Sequence, residues 1–388
     1  MPSDRQADFL LAPELSFLNH GSFGACPRAV FAAQLEIRER LERDPVRFLA
    51  RDLWAQLDAA RVVAANFVGV APSDFVFVRN ATNAVNTVLA SFAFQPGDEL
   101  LLTDHGYAAC RNAAEYWTNR AGARVVEARV PWPVTREEDI VDAVIGAVTP
   151  RTRLAMLDHV TSPSALIFPI ERLTRSLKEH GVPVLVDGAH APGFLPLNVP
   201  AIGADYYTGN FHKWCCAPRG AAFLAATPAR QSSLRPLIVS HGATAKWPER
   251  PRTWLEFDWL GTEDPTSYLS VPAALNYIEN AVPGGVSALM NQNRALAREA
   301  RALLIERFGA TPSGPEDMVG AMAALMFPTE RWPAAETLQR RLLDEERIQV
   351  PIFQLLDRSE FLVRVSANIY NSRADYERLA TALRQWML

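Results

Sequence analysis

The sequence predicts an α/β protein: a large domain on a mostly parallel seven-stranded sheet, followed by a smaller C-terminal α+β domain. Three observations predict it. Between residues 75 and 226, short β-rich runs alternate with stretches of helical period, the pattern of βαβ units. Past a Pro/Trp-rich stretch at 235–265 the helices lengthen, and strand-like runs return only near the C-terminus. The 388 residues exceed one small domain and leave room for two or three units of roughly 150 residues.

In chain order, residues 1–70 give a turn-rich lead, FLNHGSFGACP, and two helical patterns expected to join the small domain or a subunit contact. The large domain, expected over 71–265, has strand candidates FVFV (75–78), ELLLTD (99–104), RVVEARV (124–130), RLAMLDHV (153–160), PVLVDGA (183–189), DYYTG (205–209) and AAFLAA (221–226). Between the first five lie helical stretches such as ATNAVNTVLASFAF and EEDIVDAVIGAV, each long enough to cross over between parallel strands. The small domain, expected over 266–388, opens with the helices SYLSVPAALNYIENAV and ALMNQNRALAREARALLIERFG. MAALMF, the helix AAETLQRRLLDEE, IQVPIF, FLVRVS and the helix RADYERLATALRQWM then give mixed α+β content.

Composition narrows the function classes. With 49% hydrophobic and 21% charged residues the chain is ordinary globular protein, and a net charge of -4 supplies no basic stripe for nucleic acid. No apolar run approaches the roughly 20 residues of a membrane span, and MPSDRQADFLLAPELSF lacks a signal peptide, so a cytoplasmic, membrane-free location is expected. Cys26, Cys110, Cys215 and Cys216 form neither a CxxC pair nor zinc-like spacing, which points to reduced thiols and no metal site.

Only three of the 39 basic residues are lysines: Lys178, Lys213 and Lys246. A chain that uses arginine almost everywhere invites a chemical reason for a lysine in an apolar setting, because an amine can lose its proton and attack a carbonyl. Lys178 lies in an amphipathic helix and Lys246 in a polar loop, and both read as solvated.

Two segments about 25 residues apart, VLVDGAHAPG and YYTGNFHKW, carry the strongest signal. Asp187 ends an apolar strand, so its carboxylate reaches the C-terminal edge of the sheet, where open α/β sheets bind ligands. There it would bond a protonated pyridine nitrogen, while aromatic neighbours keep Lys213 a neutral nucleophile. An aspartate after a strand is commonly a cap, and a His-Lys pair commonly lies on a surface. Their meeting at one sheet edge is what points to pyridoxal 5′-phosphate (PLP). VRNATNAV sets Asn80, Ala81 and Thr82 between strand and helix, where helical N–H groups cradle a phosphate or are simply capped. TDHGYAAC places His105 and Tyr107 where an aromatic ring would stack on a flat cofactor, or serve only the core. In FLVRVSANIYNS, Arg364 sits in an apolar β run and needs a partner, either an internal acid or a substrate carboxylate.

FLNHGSFG, RNATNAV, LLTDHGY, LVDGAHAPG, GNFHKW, GTEDP and VRVSANIYN together resemble the class V aminotransferase-like enzymes of PLP fold type I, in the branch containing isopenicillin N epimerase. The resemblance runs from about residue 17 to residue 380. It implies the aspartate aminotransferase-like fold of PLP-dependent transferases and a homodimer with shared active sites. It makes Lys213 the covalent cofactor lysine, with Asp187 on the pyridine nitrogen, His190 near the ring oxygen and His105 stacked on the ring. Ala81, Thr82, Asn210 and His212 become phosphate or lysine-flanking ligands, and Gly261 and Thr262 a phosphate contact donated by the neighbouring subunit. Arg364 becomes the substrate carboxylate anchor, and Asn19 and His20 the substrate-side entrance loop. Glu263 departs from the basic or amide residue expected after Gly261–Thr262, and no cysteine lies beyond Cys216 to carry a persulfide as a desulfurase would.

The activity expected is therefore chemistry at the α-carbon of an amino acid. Epimerisation is the first reading, with His20, His105 or Tyr107 as second proton donor. C–S β-elimination, transamination and a cofactor-free structural relative are the alternatives; a nucleotide-binding reading has neither GxGxxG nor a P-loop behind it.

Overall fold

A computed structural model describes residues 5–354 and 359–387. Strand β1 (Ser16–Phe17) comes first. The seven predicted strands follow as β2 (Phe75–Val78), β3 (Glu99–Thr103), β4 (Arg124–Ala128), β5 (Thr152–Asp158), β6 (Val184–Asp187), β7 (Tyr206–Asn210) and β8 (Ala222–Ala226). They form one sheet in the order β2-β8-β7-β6-β5-β3-β4, and only β8 runs antiparallel to its neighbours.

The alternation of side chains along a strand divides the core into two layers. Phe75, Phe77, Leu157, Val184, Val186 and Phe223 pack on one face, and Val76, Leu102, Leu154, Met156, Leu185 and Leu224 on the other. The second layer is closed by the helices Ala81–Ser91 and Ala108–Arg120 through Ala84, Val88, Cys110 and Ala114. Continuing the period, Asp158 and Asp187 fall on this second face at the C-terminal ends of β5 and β6.

The C-terminal part adds β9 (Thr311–Pro312), β10 (Met322–Pro328), β11 (Ile348–Gln349), β12 (Ile352–Gln354) and β13 (Glu360–Ser366). A second sheet runs β12-β13-β10-β9 and is antiparallel throughout. The N-terminal lead joins this half, because β1 pairs in parallel with β11. On β13, Val363 and Val365 enter the core beneath the helix Gly285–Phe308, while Leu362 packs with Val160, Phe194 and Trp214 of the large sheet. Arg364 shares the side of Leu362 and is aimed between the two sheets. Among the described residues, no helix is long and apolar enough to cross a membrane.

Candidate active site

The loop after β7 carries Lys213 into a cavity of about 430 Å³ between the sheets. Its Nζ lies 3.1 Å from His190 Nε2, and Trp214 Nε1–H donates to His190 Nδ1 at 3.3 Å. A ring that accepts at Nδ1 carries its hydrogen on Nε2, so Nζ must be the acceptor and hence a free amine. Burial acts in the same direction, drawing Lys213 down to about 8 against the opposing pull of Asp187. Burial, with Lys213 next, also holds His190 well below the usual histidine range. Lys178 and Lys246 are exposed, as expected.

Asp187 is buried and lines the same cavity. Its Oδ1 accepts from Ala189 N–H at 3.0 Å and its Oδ2 from the Cys110 thiol at 3.1 Å. Asp158, its register partner on the neighbouring parallel strand, also lines the cavity. Burial, then the charge of Asp187, pushes the Asp158 carboxyl well above its ordinary value despite the N–H of Tyr107. Two adjacent buried carboxyls do not both ionise readily, which favours the neutral form of Asp158.

The helix Ala81–Ser91 points its N-terminus at the cavity, with Thr82 in the wall. The cradle is narrower than the sequence suggests, because two of its amides are already bonded. Ala81 N–H donates to Asn210 Oδ1 at 2.9 Å and Asn83 N–H to Asn80 Oδ1 at 2.8 Å. Asn210 therefore fixes the helix end as well as lining the site. His212 shares its Nδ1 hydrogen with Ala221 O at 3.0 Å and keeps Nε2 for the cavity side; burial draws it down to about 4. Gly261 and Thr262 stand away from this cavity, and Thr262 is exposed. Glu263 is accounted for by Arg79, whose guanidinium donates to it at 3.0 and 2.5 Å.

Also lining the cavity, the buried Arg364 donates through Nη1 to Ser162 O at 2.6 Å and through Nη2 to Ser22 Oγ at 2.9 Å and Asn19 Oδ1 at 3.3 Å. Among the described residues its buried Nε has no hydrogen-bond partner. Asn19 thus acts on Arg364 rather than on the cavity. His20 corrects an expectation more strongly. It is fully buried, its Nε2 bonds Lys213 O at 3.0 Å and its Nδ1 bonds Tyr370 OH at 2.7 Å. Both nitrogens are committed, so His20 holds the lysine's main chain and is no proton donor to the cavity. The turn lies so close that a Cβ on Gly24, at φ +65, would meet His212 O at 2.2 Å.

Of the pair expected at the site, Tyr107 lines the cavity and His105 does not. The His105 ring is buried, stacks on Trp132 at 3.7 Å between centroids and bonds Ser164 Oγ at 2.8 Å. Tyr107, 46% exposed, lines the cavity that His105 does not. The reason is local: Tyr107 caps the helix Ala108–Arg120 and faces outward from the sheet edge, two residues beyond the point where His105 turns into the core.

Sequence reasoning missed Asp158, Ser162 and Phe353, all in the cavity wall. Asp158 carried a legible signal, since it ends RLAMLD at the sheet edge as Asp187 ends VLVD. A groove lined by Trp54, Trp247 and Trp259 offers only His241 as an acid–base group, so the chemistry belongs to the first cavity.

These residues fit PLP. A buried carboxylate suits the pyridine nitrogen, a helix N-terminus with Thr82 the phosphate, and a neutral amine the aldehyde. The comparisons agree. The chain is 36% identical to an isopenicillin N epimerase of Amycolatopsis lactamdurans, over 97% of this chain and 96% of that one. It is 31% identical to an L-cysteine desulfhydrase of Arabidopsis thaliana, over 94% and 86%. The solved cystine C-S lyase C-DES shares its fold with a TM-score of 0.82 at 20% identity, covering 97% and 99%. Since the family model "Aminotransferase class-V" also matches residues 45–379, this chain belongs to the class-V aminotransferase family of PLP-dependent enzymes.

Proposed function

We propose that this protein inverts the configuration at the α-carbon of an amino acid, as an isopenicillin N epimerase-like enzyme. The observation that carries the reading is the relay Trp214 to His190 to Lys213, which leaves a neutral amine in a cavity that Arg364 also lines. PLP, when bound, supplies an aldehyde for an amine and a ring that withdraws electrons from the α-carbon. With PLP bound, Asp187 would keep the ring nitrogen protonated, Arg364 would take the substrate carboxylate through Nε–H, and Lys213 would take the α-proton. A C–S β-elimination on a cysteine derivative is the second reading, favoured by the desulfhydrase relatives.

The chain is further proposed to work as a homodimer in the cytoplasm. Thr262 is exposed while the phosphate end of the site opens beside Arg79 and Arg219, which supports a neighbouring subunit completing it. Four free cysteines suit a reducing compartment. The division into 1–70, 71–265 and 266–388 is retained as a proposal; the pairing of β1 with β11 supports it for the N-terminal lead, whereas the helices Arg28–Arg43 and Leu53–Phe67 bury Val30, Ile37, Leu57 and Ala64 in the core of the large sheet instead of joining the small domain.

Incubating the PLP-loaded enzyme in deuterated water with isopenicillin N and with the proteinogenic L-amino acids tests the function. Inverted product with deuterium at the α-carbon is expected. Pyruvate, ammonia or released thiol without inversion would establish the lyase reading instead, and a keto acid with aminated cofactor the transaminase.

A further inference from the structure

We infer that Tyr107 is the second proton-transfer residue of the site, exchanging a proton with the substrate α-carbon from the side opposite Lys213. This rests on the epimerase reading and names the group that inversion needs and Lys213 cannot itself be, since one base working on one face returns the proton with retention.

The sheet order places the two groups on either side of the site. Lys213 follows β7 and Tyr107 follows β3, and between them lie β6 and β5, which end in Asp187 and Asp158. A flat ring whose nitrogen meets Asp187 is therefore flanked by the amine from one direction and the phenol from the other. Tyr107 N–H is bonded to Asp158, which fixes the residue against the pair of carboxyls. The phenol is also the electrostatic neighbour of Arg364, the carboxylate anchor, whose charge it favours against the effect of burial. A substrate held by Arg364 and reached by Lys213 thus has its α-carbon between amine and phenol.

The other acid–base groups of the cavity lie on the lysine's side or at the ring-nitrogen end. His190 bonds Lys213 and Trp214 and so acts from the lysine's side. His212 adjoins Lys213 and is tied to Ala221 O. Asp158 and Asp187 face each other at the ring-nitrogen end. No cysteine lines the cavity among the described residues, and His20 and His105 lie outside it. Tyr107 remains, and its 46% exposure lets solvent renew its proton.

The balance for one turnover is simple. The α-C–H bond breaks and its proton goes to Lys213 Nζ, giving an ammonium; its electron pair stays with the α-carbon. The O–H bond of Tyr107 breaks, its proton forms the new C–H bond on the other side, and a phenolate is left. Water then protonates the phenolate and takes a proton from the ammonium, so nothing is oxidised or reduced. In the reverse direction the two groups exchange roles.

Tyr107→Phe removes one oxygen from a half-exposed ring, so the fold is kept. The PLP-loaded enzyme and variant are compared on isopenicillin N in deuterated water, reading deuterium separately in the recovered starting epimer and in the inverted epimer. The wild type should place deuterium in both. The variant should lose inversion by about 100-fold or more while the recovered epimer still takes up deuterium through Lys213. Titration of the apo-protein with PLP, followed by absorbance, should give dissociation constants within about twofold for both proteins. Inversion within about threefold of wild type in the variant would overturn the inference and leave the epimerase reading standing. So would a PLP affinity lowered tenfold together with an equal loss of exchange and inversion, because Tyr107 would then only hold the ring. If the wild type exchanges or cleaves substrates but never inverts them, the epimerase reading fails, and this inference with it.

Discussion

His20 donates from Nε2 to the main-chain carbonyl of Lys213 at 3.0 Å, so a residue of the N-terminal turn sets the backbone from which the reactive amine extends. Burial draws His20 down to about 4, and Tyr370 fixes its tautomer, so it stays neutral through the working pH range. His20→Gln, which can still donate, should keep most of kcat. His20→Ala should lower kcat about 10- to 100-fold through loss of alignment, with KM changed far less. In neither variant should a limb of the pH–rate profile between pH 6 and 9 disappear; a lost limb would make His20 a base rather than a support.

The amine itself should report its environment. Because burial disfavours the ammonium, Lys213 is half deprotonated at about 8. The rate at which apo-protein binds PLP covalently should therefore rise with pH up to that value and level off above it, falling about tenfold per pH unit on the acid side. Lys213→Ala should show no covalent attachment, measured by borohydride reduction and peptide mass. Trp214→Phe removes the donor that fixes the His190 tautomer, and should move the midpoint upward towards that of an ordinary lysine.

The strand ends of the site were readable in the sequence, and its inner arrangement was not. Asp187 and Lys213 stand out because their two segments end at one sheet edge and Lys213 is one of only three lysines, and the seven strands follow from short β-rich runs separated by crossover helices. That Tyr107 and not His105 lines the cavity depends on which way a two-residue turn rotates, and Trp132, the ring that takes up His105, lies 27 positions further on. His20 reads as an entrance residue until its two partners, Lys213 and Tyr370, are brought to it by the fold. Side-chain direction across long sequence separations is a tertiary property, and local pattern carries no trace of it.

Asp158 gives a stability signature. Its buried carboxyl keeps its proton to a higher pH than in the unfolded chain. That preference for the fold is complete below the ordinary carboxylate range and is lost as pH rises from about 4 to the raised folded value. Asp158→Asn has no such dependence. In urea unfolding of the cofactor-free protein, the variant should gain on wild type steadily from about pH 4 upward until the folded carboxyl itself ionises. A difference independent of pH would mean that Asp158 is ionised in the fold.

Arg364 bonds two serines and an asparagine, and among the described residues its Nε has no partner. Arg364→Lys retains the charge but lacks the planar fork that these three residues hold, so on the proposed reading the carboxylate would meet a point charge that nothing orients. KM for the amino-acid substrate should rise about 10- to 100-fold, and PLP binding should be unchanged. An unaltered KM would place the carboxylate elsewhere.

The large domain owes part of its rigidity to a buried ion pair that takes no part in the chemistry. Arg61 is fully buried and donates through Nη2 to both oxygens of Asp258 at 2.7 Å and through Nη1 to Phe75 O at 3.2 Å, on the edge strand β2. Its guanidinium lies 4.2 Å from the Trp254 ring centre, and Arg250 also reaches Asp258, at 2.6 Å. Arg61→Ala would leave Asp258 with Arg250 alone and open a space beneath Trp254, so unfolding free energy should fall by about 3–5 kcal/mol. Arg61→Met keeps the packed volume and should cost less, because most of the loss that remains is then the unmatched charge. Adding Asp258→Asn to Arg61→Met should recover part of that loss. Urea midpoints at constant m-value decide between the two contributions: equal cost for Ala and Met would assign the whole effect to charge and none to packing.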